Sequence, residues 1–206
     1  GIYDFEYSKP LPSCVYLTSG NHVITLNQIA GDEIALGDLI LVGHKPLPSY
    51  EQYSRLIETA NEGVRIDDIE AEHFYKKNDT FPVPTNSADL NAKPYKSMEA
   101  MLNMVSNFNS SNQILSYQFE IKNEGKYKIS FNANVNNSNH VSFATIFIDD
   151  VVPFGELLHY PFAPTKGFED VTLTDLNGKP FDVYLSKGLH TISIKIDQSL
   201  YENVKN

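Results

Sequence analysis

From Leu115 to Val135 apolar and polar residues alternate, and that period of two restricts the segment to half-buried β-strand. Leu115, Tyr117, Phe119 and Ile121 fall on one side, and Ser116, Gln118, Glu120 and Lys122 on the other. Beyond Asn123-Glu124-Gly125, Tyr127, Ile129, Phe131, Ala133 and Val135 alternate with Lys126, Lys128, Ser130, Asn132 and Asn134. Asn-Glu-Gly is turn chemistry, so the spacing predicts an antiparallel hairpin.

Val141 to Ile148 is apolar at nearly every position, which predicts a central strand covered on both sides. Val183–Leu185, a Ser186-Lys187-Gly188 turn and His190–Ile196 read as a second hairpin, with Ile192, Ile194 and Ile196 alternating. Short strands separated by polar turns predict an all-β sandwich of jelly-roll type. Two segments have helical spacing. In Ser49–Asn61, Ser49 and Gln52 can form a capping box ahead of Tyr53, Leu56, Ile57 and Ala60; in Ser97–Val105, Met98, Met101, Leu102 and Val105 share a face.

An internal repeat sets the domain organisation. Val15–Leu26 (VYLTSGNHVITL) matches Val183–Ile194 (VYLSKGLHTISI) with six identities in twelve positions, and Pro12 aligns with Pro180. In both copies a histidine, His22 or His190, follows the turn glycine, Gly20 or Gly188, where its imidazole can bond the turn backbone. The match falls near the end of the second copy. Residues 1–46 therefore read as the C-terminal strands of a preceding β-sandwich module, 47–66 as a helical linker and 67–206 as a complete sandwich. Isolated strands at 1–46 would expose sheet edges, and a strand-exchanged homodimer is one way to cover them.

The formal charge of −10 and isoelectric point near 5.0 oppose a phosphate backbone, which excludes nucleic acid as an expected partner. Cys14 is the single cysteine, so neither an internal disulfide nor a thiolate metal cage can form. No GxSxG elbow, HExxH helix or glycine-rich phosphate loop is present, and the expectation is a protein that is not an enzyme. The N-terminus lacks a signal peptide, and any targeting signal of an exported parent is expected upstream of this chain.

The stretches IDDVVPFGE, LTDLNGKPFDVYL and KGLHTISI between Ile148 and Ile196, with IEAE at Ile69–Glu72 and FEIKNEGKYKIS at Phe119–Ser130, resemble one family. It is the galactose-binding-like β-sandwich found in large bacterial extracellular solute-binding proteins of carbohydrate ABC transporters, itself similar to carbohydrate-binding modules. Tyr117 and Phe168 stand where that family carries tryptophans, and Asp150 stands where its turn carries glycine. The resemblance implies a galactose-binding-like jelly roll. It also implies a non-catalytic accessory role at the bacterial cell surface, an oligosaccharide or cell-surface glycan as partner, and a parent held at the membrane by a lipid anchor or its transporter.

Sugar binding needs an aromatic ring against the apolar face of a pyranose and polar groups for its hydroxyls. The candidates are loop aromatics: His159, Tyr160 and Phe162 in one stretch, Phe74 and Tyr75 in another, each of which also has a plain packing role to offer. Glu70 and Glu72 are spaced to share one face of a strand and to present two hard carboxylates to Ca2+. Carbohydrate-binding sandwiches that open with a similar E-x-E hold a structural calcium with a late aspartate, which the resemblance assigns to Asp197. Asp175-Leu176-Asn177-Gly178 has part of a calcium-loop pattern but reads as a turn. The competing function class is a structural spacer or protein-interaction sandwich with no sugar site.

Overall fold

Strands make up nearly all the regular structure of the computed structural model, which describes residues 3–4, 9–12, 17–25, 27, 46–66, 68–93, 102–135 and 141–197. The chain divides into Gly1–Pro46 and Leu47–Asn206. In the first unit, β1 (Tyr3–Asp4) pairs antiparallel with β2 (Lys9–Pro12). Gly20 has φ +140°, and the His22 ring meets the Thr18 carbonyl through Nε2 at 2.7 Å. The same geometry recurs in the second unit, where Gly188 has φ +140° and His190 Nε2 meets the Ser186 carbonyl at 2.9 Å. The repeated letters therefore encode a repeated local conformation, as the spacing of glycine and histidine predicts. The flanking Val15, Tyr16 and Leu26 lie outside the described residues.

The second unit is an all-β sandwich. Its strands are β3 (Lys76–Lys77), β4 (Val83–Thr85), β5 (Met104–Ser106), β6 (Ile114–Ile121), β7 (Gly125–Tyr127), β8 (Ser130–Ala133), β9 (Ser142–Ile148), β10 (Tyr160–Phe162), β11 (Glu169–Thr172), β12 (Val183–Leu185) and β13 (Gly188–Ile196). One layer is a five-stranded sheet in the order β10-β9-β13-β6-β3. In the other, β12 pairs with β7 and β11 with β8, and the Leu173 N–H donates to the Ile129 carbonyl between the two pairs. β4 and β5 form a separate ribbon. The expected central strand is β9, flanked by β10 and β13.

Neither expected hairpin forms. The strands are where the alternation places them, but β6 pairs with β13 while β7 pairs with β12, each partner lying in a different sheet. The turns at 122–124 and 186–187 are corners that carry the chain between layers. A flat hairpin would put both apolar faces on one side of a single sheet and leave them to water. Folding at the corner makes the faces oppose, and Leu115, Tyr117, Ile121, Ile146, Ile192, Val183, Leu185, Leu173, Phe154, Phe162 and Phe181 join one buried core.

The helix α1 (Tyr50–Leu56) has the capping box expected from Ser49 and Gln52. It is docked on the sandwich. The Tyr50 ring lies 4.9 Å from Phe154 and 4.6 Å from Phe181, its Oη accepts from the Asp182 N–H, and the Tyr53 Oη accepts from the Tyr184 N–H. Of the second expected helix, residues 97–101 lie outside the described residues, and Met104–Ser106 is strand. The hydrogen bonds of Asn103, whose buried side chain is held by Ser87, tie this segment to β4 as the other half of a ribbon.

Asp149 and Asp150 form the two-residue turn after β9, at φ +49° and +62°, closed by reciprocal bonds between Ile148 and Val151. Two successive left-handed residues are the backbone of a type I′ turn. Asp149 has side-chain reasons to stay: its Oδ2 accepts from His190 Nδ1 at 2.7 Å and its Oδ1 from the Thr191 N–H. With Ser186 on the other ring nitrogen, both imidazole nitrogens face acceptors. Burial works against the charged ring, but the Asp149 carboxylate and the Ser186 carbonyl win and lift His190 above its ordinary pKa. Asp150 is exposed, so a glycine there should relieve left-handed strain and stabilise the protein by about 0.5–1 kcal/mol. Urea denaturation of Asp150→Gly checks this; an unchanged or lower midpoint would show the turn unstrained.

Candidate functional site

Where β8 and β11 pair, two loops converge on an open groove of ≈ 580 Å³ lined by Leu90, Asn91, Ala92, Lys93, Asn132, Phe168, Glu169 and Asp170. Each loop is tied down by its own polar residues. In the 86–93 loop, the Ser87 N–H donates to Asn103 Oδ1 at 2.7 Å, and the Ser87 hydroxyl accepts from the Asp89 N–H. In the other, Thr165 accepts from the Val135 N–H at 2.8 Å and donates to the Gly167 carbonyl at 2.7 Å.

Asp89 joins the two loops. One carboxylate oxygen accepts from the Asn91 N–H at 2.9 Å and the other from the Phe168 N–H at 3.1 Å. These backbone donors, Asn91 first, hold its pKa below the ordinary carboxylate value. Gly167 makes room for this tie, because a Cβ there would lie 2.8 Å from Asp89 Oδ2. The backbone of Phe168 is thereby fixed at the rim, its side chain partly buried, with the exposed Leu90 on the opposite loop.

Polar groups form the rest of the lining. The Asn132 amide donates to Asp170 Oδ1 at 2.9 Å and its oxygen accepts from the Lys93 N–H at 3.0 Å, while the Lys93 ammonium pairs with Asp170 Oδ2. Lys93 and then Asn132 hold the Asp170 carboxyl below its ordinary pKa. The groove thus sets an aromatic and an aliphatic side chain beside an amide, a carboxylate and an ammonium, a lining able to take a ligand with both apolar and hydroxyl groups.

The residues expected to stack on sugar lie elsewhere. Tyr160 and Phe162 are core residues at 7% and 9% exposure, 5.2 Å apart at their ring centroids, and Tyr160 Oη accepts from the Thr174 N–H. Buried rings offer no face to a ligand, so their expected platform role is corrected. His159 sits at φ +56° with Nδ1 3.0 Å from Asp197 Oδ2. Phe74 is half-buried with the Lys77 ammonium 5.5 Å from its ring centroid; Tyr75 is 63% exposed at the edge strand, away from the groove lining.

The calcium set is not gathered as expected. Glu70 and Glu72 do not share a strand face; they flank and enter a 3-10 turn, Ala71–His73, where Tyr117 Oη donates to the Ala71 carbonyl. Burial, and then the Glu72 charge, push the Tyr117 phenol up to about 12. Among the described residues, the ligand atoms that gather within 4.8 Å belong to Glu70, Glu72 and His73, and the imidazole is no natural ligand for Ca2+. Asp197 is held by other partners. Its Oδ2 accepts from the Thr145 hydroxyl at 2.5 Å and from His159, and the Lys195 ammonium stands 3.2 Å from Oδ1. Asp175–Gly178 is a turn, as its Asn-Gly spacing predicts, with the Gly178 N–H on the Asp175 carbonyl.

Phe168 carries the signal that sequence reasoning under-used. It follows a glycine in a loop, where an aromatic side chain has no strand or helix pattern to account for it. Asp89, Lys93 and Asn132 gave no such signal, because only the fold brings their loops together.

No family model matches the chain, and no curated protein does. Among solved structures it is similar to a Paenibacillus sp. cycloisomaltooligosaccharide glucanotransferase complexed with cycloisomaltoheptaose, at 20% identity and a TM-score of 0.44. The alignment covers 72% of this chain and 21% of that one, so the chain spans about a fifth of that enzyme's length.

Proposed function

We propose that the sandwich is a non-catalytic carbohydrate-binding module, and that its sugar site is the groove between the 86–93 and 165–170 loops. The observation that carries this is the joint placement of Phe168, Leu90, Asn132 and Asp170 around one opening, held by Asp89 and Lys93. The reading extends to an extracellular setting at the bacterial surface. Its narrower form, an accessory role in a solute-binding protein of a carbohydrate transporter, has the resemblance of Ile148–Ile196 as its support.

Calorimetric titration of the 206-residue chain with a panel of plant, mucin and bacterial oligosaccharides tests it. Binding should weaken at least about tenfold in Phe168→Ala, as expected when a small site loses the one aromatic ring in its lining. The unfolding free energy should fall by no more than about 1–2 kcal/mol, less than for a core phenylalanine, because the ring is partly buried but outside the central cluster. Binding that is indifferent to Phe168 would sink this choice of site.

The burial of Tyr160 and Phe162 favours a second reading, a spacer or protein-interaction sandwich with no sugar site. It expects silence across the same panel.

A further inference from the structure

We infer that the groove selects neutral glycans and rejects uronates and other acidic sugars, an inference that rests on the carbohydrate reading of this site. Among the described residues that line it, the ionisable side chains are Lys93, Glu169 and Asp170. Lys93 is the single cation of the three, and its ammonium is already engaged by Asp170 Oδ2. The partner carboxylate is kept ionised by that ammonium and by the Asn132 amide. Lys166, exposed on the same 165–170 loop, is outside the lining, and its backbone N–H is donated to Glu169 Oε1.

The lining therefore carries a net charge of about −1 within a chain of formal charge −10. An incoming carboxylate would meet two carboxylates and an ammonium whose charge Asp170 already balances. Hydroxyl groups fit the same lining well, since a carboxylate accepts from them without losing its own partner and Asn132 is already oriented. The charge arrangement thus separates sugars that differ only in the oxidation state of C6. A neutral hexose keeps its hydroxyl there, whereas a uronate brings a negative charge.

The test compares matched oligosaccharides, neutral and C6-oxidised, on the full chain at low ionic strength. The neutral form should bind at least about tenfold more tightly, and the gap should narrow with added salt as like-charge repulsion is screened. In Asp170→Asn the Lys93 ammonium is released and one carboxylate is removed, so the preference should collapse or reverse toward the uronate. Uronate binding equal to or tighter than the neutral sugar, still lost in Phe168→Ala, would overturn this inference and leave the carbohydrate site standing. Binding of neither form would overturn both.

Discussion

Phe154→Ala is expected to lower the unfolding free energy by about 3–5 kcal/mol and the melting temperature by roughly 10 °C. Phe154 is fully buried where the helix, both sheets and the 152–158 loop converge. Its ring centroid lies 4.9 Å from that of Tyr50, 5.1 Å from Tyr53 and 5.1 Å from Phe181. Removing it loses the transfer energy of a large ring and leaves a cavity that stiff neighbours cannot collapse into. The docking of α1 should loosen too, because Tyr50 and Tyr53 both lean on that ring. Urea denaturation followed by tyrosine fluorescence suits a chain with twelve tyrosines and no tryptophan. Leu176→Ala, at a side chain fully in solvent, is the control and should change stability by less than about 0.5 kcal/mol. A loss below 1.5 kcal/mol in Phe154→Ala would mean that the aromatic cluster is not the anchor of the helix.

Asp197→Ala is the second large effect, with an expected loss of about 3 kcal/mol. Alternation along β13 puts Ser193, Lys195 and Asp197 on the side away from Ile192, Ile194 and Ile196, yet Asp197 is 1% exposed. Its carboxylate draws together Thr145, His159 and Lys195, and without it a nearly buried ammonium loses its counter-charge and two oriented donors lose their acceptor. Burial alone would raise the Asp197 pKa; the bonds from His159 and Thr145 and the Lys195 charge outweigh it and leave the group below the ordinary carboxylate value. A folded-state pKa lowered in this way contributes stability above the unfolded value of about 4 and loses it as pH falls through the folded value. Wild-type stability should therefore decline below about pH 4 more steeply than that of Asp197→Asn, which has no proton to take up. Parallel pH profiles for the two proteins would refute the assignment. The same network explains why His159 tolerates a left-handed backbone: its ring nitrogen reaches Asp197 and its N–H reaches Thr145 Oγ1 from that conformation.

Residues 160–162 show how near the sequence came at one place. Tyr160-Pro161-Phe162 reads as a loop because it falls in a long stretch poor in strand signals, but burial alternates along it and β10 lies at the edge of the sheet, where a proline's missing N–H costs no ladder bond. Taken as a strand, the triplet places both rings inward. The same rule of alternation, applied to Glu70-Ala71-Glu72, misleads in the other direction, since a 3-10 turn at Ala71–His73 ends the extended backbone there.

Local physics determined what the sequence could determine. Period-two alternation settled β6, β8 and β13, side-chain capping settled the start of α1, and the glycine–histidine turn settled two copies of one conformation in separate units. These depend on residues within a few positions of one another. The partners of the strands, the docking of the helix and the groove were decided by tertiary structure. Alternation states which face is apolar but not which distant strand will cover it, so β6 found β13 and not its neighbour in sequence. The groove depends on Asp89 meeting Phe168 and on Lys93 meeting Asp170, contacts 79 and 77 residues apart that exist once the 86–93 loop lies against the paired β8 and β11.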